Sequence, residues 1–152
     1  MRKLQTIFAI GLCLTLPGFS LAEDEDPDVQ AVHVRHALME IMGWNMVPVA
    51  NMSTGKQPYD QAQVSKRSKR LAAIGEMIGD AFARNTSGSN VKTEARDAIW
   101  QNPEDFAAKA SALVEAARDY TAATADGEAA ARKAFVKLSD ACKSCHEKYR
   151  NE

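Results

Sequence analysis

The pentapeptide Cys142-Lys143-Ser144-Cys145-His146, close to the end of a 152-residue chain, constrains this protein more than any other feature. In a helix, positions i, i+3 and i+4 share a face, so the two thiols and the imidazole point the same way. Cys-x-x-Cys-His is the attachment signature of c-type haem. The two thiols can add to the two haem vinyl groups as thioethers, which leaves His146 to coordinate the iron from one side. Two other readings compete. A redox dithiol sits by preference at a helix N-terminus, where the dipole lowers the thiol pKa, whereas this motif is near a C-terminus. A zinc site needs a fourth ligand, and no second Cys/His cluster of suitable spacing exists. Arg150 lies four residues after His146, one turn further along the same face. It is placed to partner a haem propionate, which needs a positive group or water when buried; the competing reading is an arginine in free solvent.

The first residues, "MRKLQTIFAIGLCLTLPGFSLA", have the three parts of a secretory signal: Arg2 and Lys3, an apolar run from Leu4 to Leu16, and the small residues Ser20 and Ala22 before a cut. The apolar run is shorter than the roughly twenty residues that span a bilayer. Residues 1–22 are therefore expected to be removed on export, leaving one domain over residues 23–152. Removal of Arg2 and Lys3 leaves 17 of the 19 basic residues against 20 acidic ones, a formal charge of −3. No basic stripe suits nucleic acid, and no further apolar segment suits a membrane span. Cys13 leaves with the signal, so the mature chain keeps only Cys142 and Cys145. A disulfide framework is not what stabilises it, and something else must add to the core.

The rest of the chain shows helical periodicity in four segments and no strand alternation. The first opens at Asp26 as cap with Pro27 as first helical residue. Its inward stripe reads Val32, Arg35, Met39, Met42, Met46 and Val49. Pro48 removes a donor and crowds the carbonyl of Trp44, which predicts a kink or an early end. The second segment turns Val64, Leu71, Ile74, Ile78 and Phe82 inward, with Lys66, Arg67, Lys69 and Arg70 on a solvated face. Residues 85–102 form a long connection bearing Trp100, too large an apolar group to leave in water. The third helix starts at "NPEDF", with Asn102 as cap and Pro103 first, and turns Phe106, Ala110, Leu113, Ala117 and Tyr120 inward. The fourth carries Ala131, Phe135, Leu138, Cys142, Cys145 and Tyr149 on one stripe. Modest connections between helices of similar length predict an all-α, antiparallel up-down-up-down four-helix bundle.

At this point the chain resembles the class II cytochromes c, the group that includes cytochrome c-prime. The resemblance rests on "CKSCHEKYR", "GKQPYD", "IWQNPEDF" and Arg35 in "VRHALM", in the expected order over nearly the whole mature chain. It implies one covalent haem c, with Arg35 and Arg150 approaching the propionates and the Trp100 loop beside the haem pocket. It also implies a division at Met39, four residues after Arg35. An apolar residue there leaves the iron five-coordinate and open to small gases; methionine becomes the sixth ligand of low-spin members, which the chain resembles most. His36, one turn before Met39, is the rival ligand, and His33 is expected to be exposed.

The function expected from these residues is transfer of single electrons in the periplasm, with His146 and Met39 fixed on the iron and other redox proteins as partners. Methionine ligation raises the potential relative to two histidines. The alternative is a five-coordinate protein binding nitric oxide or carbon monoxide. No catalytic base, nucleophile or substrate pocket is identified, so an enzyme is not expected. The resemblance also carries homodimers through the first two helices as an expectation.

Overall fold

The computed structural model describes residues 25–151; the expected signal, residues 1–22 with Cys13, lies outside them. Helix α1 runs from Pro27 to Ser53, with the Asp26 carboxylate accepting from the Asp28 amide at 2.8 Å. It does not end at Pro48, and the reason lies on the neighbouring helix. Proline cannot donate to the carbonyl four residues back, and that carbonyl, on Trp44, accepts instead from the Arg67 guanidinium at 3.1 Å. The same guanidinium lies 5.1 Å from the centroid of the Trp44 ring. Arg67 is thus half-buried and occupied, unlike the exposed Lys66, Lys69 and Arg70 beside it. The buried stripe of α1 is Arg35, Leu38, Met42, Asn45, Val49 and Met52. It is rotated from the expected one, leaving Val32, Met39 and Met46 on its half-buried flank.

Helix α2 spans Gln61–Glu76 and is capped by Asp60, whose carboxylate accepts from the Gln63 amide at 2.9 Å. The expected second helix is broken at Met77, after which a single turn, α3, covers Ile78–Ala81. A second short turn, α4 over Ala98–Gln101, carries Trp100 within the long connection. Helix α5 spans Pro103–Ala123 and α6 spans Glu128–Tyr149. Asn102 is not a side-chain cap for α5: its amide donates backward to the Ala98 carbonyl at 3.0 Å. Gly127 turns the chain between α5 and α6 at φ 95°, a conformation that side chains resist.

Cross-helix pairs show that neighbours run antiparallel. Ser68 meets Thr121 while Gly75 meets Val114, and Asp105 meets Lys148 while Asp119 meets Lys137. A side chain at Gly75 would place its Cβ 2.9 Å from Val114, so glycine lets α2 and α5 close together. The result is an antiparallel four-helix bundle of α1, α2, α5 and α6, with no strand among the described residues. Its core includes Val49, Val64, Leu71, Tyr120, Phe135 and Leu138. Helices α1 and α6 touch only sparingly, in contrast to the close α2–α5 and α5–α6 pairs. Cys142 and Cys145 belong to the half-buried margin of the core.

Candidate haem site

Helix α6 delivers the motif. Ala131, Phe135, Leu138 and Tyr149 anchor one face of the helix in the core. That fixes its rotation, so Cys142 and Cys145 sit half-buried while His146 is exposed at the margin. Both thiols are free. Burial, with Cys145 nearby, pushes the Cys142 thiol up to about 11, and burial also raises Cys145. A thiol–disulfide centre needs its thiolate stabilised, so these neutral, apolar-lying thiols are poorly suited to redox exchange. Nor do three or more His, Cys, Asp or Glu side chains gather in a metal-holding set among the described residues. Two neutral thiols one turn apart with an adjacent imidazole remain a donor set that fits covalent haem. Partial burial, then the nearby Arg150 charge, lowers the His146 pKa, with Glu94 opposing. The imidazole is therefore neutral at neutral pH, as a metal ligand must be. An open cleft of about 480 Å³ beside it is lined by Arg96, His146, Glu147, Arg150 and Asn151.

The other expected residues divide. Met39 is half-buried on α1 and packs against the core. His36 turns outward instead, pairing with Glu40 at 3.2 Å while its side chain stays 71% exposed, and His33 pairs with Glu25 in the same way at 3.0 Å. Among the candidates on α1, Met39 is thus the one directed toward the core. Arg150 is exposed and pairs with Glu94 at 2.8 Å. Arg35 is buried, with its donors committed to the long connection. Trp100 donates its indole N–H to the Phe82 carbonyl at 2.9 Å and lies against the core.

Sequence reasoning missed what ties the connection to the end of α6. Ala95 and Arg150 form an antiparallel bridge. The Arg96 amide donates to the Tyr149 carbonyl at 3.0 Å and the Asn151 amide to the Glu94 carbonyl at 2.7 Å. The Tyr149 hydroxyl donates to the Asp105 carboxylate at 2.5 Å, and its ring stands edge-on to Phe106, 5.2 Å away. No local motif announces these pairs, because the partners are more than forty residues apart.

Known proteins share this fold. The family model described as Cytochrome C' matches residues 30–150. A cytochrome c' of Allochromatium vinosum is 36% identical over 157 residues, covering 99% of both chains. A solved cytochrome c' described as having ligand-controlled dimer dissociation superposes with a TM-score of 0.73 at 32% identity, over 82% of this chain and 97% of its own. A ferrous arginine-to-lysine variant of the Alcaligenes xylosoxidans cytochrome c prime, with nitric oxide bound, gives 0.72 at 25% identity, over 82% and 96%. With the family match over residues 30–150 and relatives of this identity and coverage, the chain belongs to the cytochrome c' family and takes covalent haem c as its cofactor.

Proposed function

We propose that this protein is an exported haem protein that binds a small gas such as nitric oxide at the iron face opposite His146. The observation that carries this reading is the family itself, in which a solved relative of the same fold holds nitric oxide. A bound haem supplies an iron that takes ligands on two faces and exchanges one electron. The chain's residues do the rest. Cys142 and Cys145 would hold the haem by thioether bonds, each thiol adding across a vinyl double bond, sulfur to one carbon and hydrogen to the other, so that no oxidant would be needed. His146 would supply its imidazole to the iron. Met39, on the half-buried flank of α1, would be the α1 side chain available to line the site. We assign no nucleophile or general base to the site, and the protein acts as a binding and electron-exchanging protein rather than an enzyme.

A second reading has one observation in its favour. Met39 faces the core while His36 faces solvent, so a thioether is the available sixth ligand on α1, and the low-spin electron carrier follows if it binds. The Met39→Leu variant separates the two. If Met39 only lines the site, the ferric spectrum stays high-spin and ligand-binding rates change by less than about tenfold. If Met39 coordinates, wild type is low-spin and the variant turns high-spin.

The outer face of α1 supports a second copy of the chain as a partner. Val34, Ile41, Trp44 and Val47 are exposed there, and reversing the helix about its middle brings Val34 opposite Val47 and Ala37 opposite Trp44. Such self-complementarity is what an isologous interface requires. The redox partners are proteins outside the cytoplasm. Among the described residues no helix is long and apolar enough to cross a membrane.

A further inference from the structure

Arg35 is expected, by resemblance, at the haem propionates, yet its surroundings are of another kind. The residue is only 3% exposed. Its Nε donates to the Ala81 carbonyl at 2.9 Å, one terminal nitrogen to the Thr86 hydroxyl at 2.8 Å, and the other to the Arg84 carbonyl. The guanidinium carbon lies over two rings, 5.2 Å from the Phe82 centroid and 5.0 Å from that of Trp100. Trp100 in turn donates to the Phe82 carbonyl at 2.9 Å. Every one of these partners belongs to residues 81–100. No carboxylate bonds to Arg35, since the neighbouring Asp28 is held by Arg84 at 2.5 Å. Burying an uncompensated guanidinium is costly, and here three oxygen acceptors and two aromatic faces offset the loss of water.

We propose that Arg35 is a positioning residue whose main task is to fasten the α3–α5 connection onto α1 and hold Trp100 in place. Only a planar fork with several donors can serve three acceptors while lying over two rings, which a lysine ammonium cannot do. Thr86, itself 5% exposed, acts through Arg35 by accepting one of its bonds. The consequence is a wall of the site fixed by protein contacts rather than by the cofactor. That consequence rests on the haem reading; the clamp itself does not.

The test compares Arg35→Lys, Thr86→Val and the double variant as haem-loaded proteins. Three readouts are taken: amide hydrogen exchange over residues 82–100, the Soret circular dichroism, and the reduction potential against pH. We expect exchange to rise about tenfold or more in Arg35→Lys and severalfold in Thr86→Val. The double variant should exchange no faster than Arg35→Lys alone, because Thr86 has no separate role. Both single variants should alter the Soret dichroism in the same sense, with haem content and the pH dependence of the potential retained. The inference is overturned if Arg35→Lys leaves exchange at the wild-type rate while changing the pH dependence of the potential, which would make it a propionate partner. Additive effects of the two substitutions would overturn it as well. If Arg35→Lys fails to accumulate, Thr86→Val decides alone, since unchanged exchange in that variant contradicts the clamp. Absence of attached haem would sink the haem reading but leave the exchange comparison intact.

Discussion

The two ends of the bundle are built differently. At the end where α1 finishes and α6 begins the core is closed: Val49, Val64, Tyr120 and Ala131 are each 0% exposed. Several polar groups there satisfy one another, with Ser53 and Tyr120 hydroxyls 2.6 Å apart, Thr121 bonded to Ser68 at 2.7 Å and Arg132 reaching the Ser53 carbonyl. At the other end, Met39, Phe82, Trp100, Cys142 and Cys145 are half-buried, His146 is exposed, and the walls are held by ties to a long connection. The difference teaches that stability and chemistry are assigned to opposite ends. A site that must admit a cofactor draws on the less tightly buried part of a fold, while the closed end keeps the helices in register.

That division can be broken most severely at the motif. Cys142→Ser with Cys145→Ser should abolish covalent haem entirely, read as loss of one haem from the intact mass, since both thioether donors are gone. Val64→Ala should cost about 1–3 kcal/mol of unfolding free energy, as large-to-small changes in closed cores do, measured by denaturant titration. Its haem spectrum should match wild type; a changed spectrum would mean that the two ends are not separable. If two copies pair as proposed, Trp44→Glu should shift the dimer to monomer in sedimentation, with the monomer's own stability nearly unchanged because Trp44 is 64% exposed.

The smallest effect concerns Asp105. Its hydrogen bond from Tyr149, followed by that from Lys148, holds its carboxyl below the ordinary 3.8. A group with a depressed folded pKa stabilises the protein above its unfolded value and loses that contribution as pH falls through the folded one. The melting temperature of wild type should therefore drop more steeply than that of Asp105→Asn as pH falls below about 4. Equal slopes would show that this tie contributes nothing to the site end.

What was legible in the sequence follows the same divide between local and distant causes. Cys142, Cys145 and His146 share a face by spacing alone, and the inward stripe of α6 could be read directly. The end of α1 could not. Pro48 looks like a stop, because nothing nearby announces that Arg67, twenty-three residues on, takes over the orphaned Trp44 carbonyl. Asn102 reads as a cap, yet the preceding turn of α4 offers its amide the Ala98 carbonyl first. Arg35 stands on an otherwise apolar stripe, which signals a special role, but its acceptors at Ala81, Arg84 and Thr86 lie 46 to 51 residues on, beyond any local pattern. The placement of His36 and Met39 likewise depends on the exact rotation of α1, which its buried contacts set.

The most direct measurement is the optical spectrum of the purified haem protein, ferric and then ferrous, before and after carbon monoxide. A high-spin ferric form is expected, together with a ferrous form whose bands shift on taking up one carbon monoxide per haem. A low-spin ferric spectrum with a sulfur-to-iron band in the far red, unchanged by carbon monoxide after reduction, would contradict the gas-binding reading and assign Met39 to the iron.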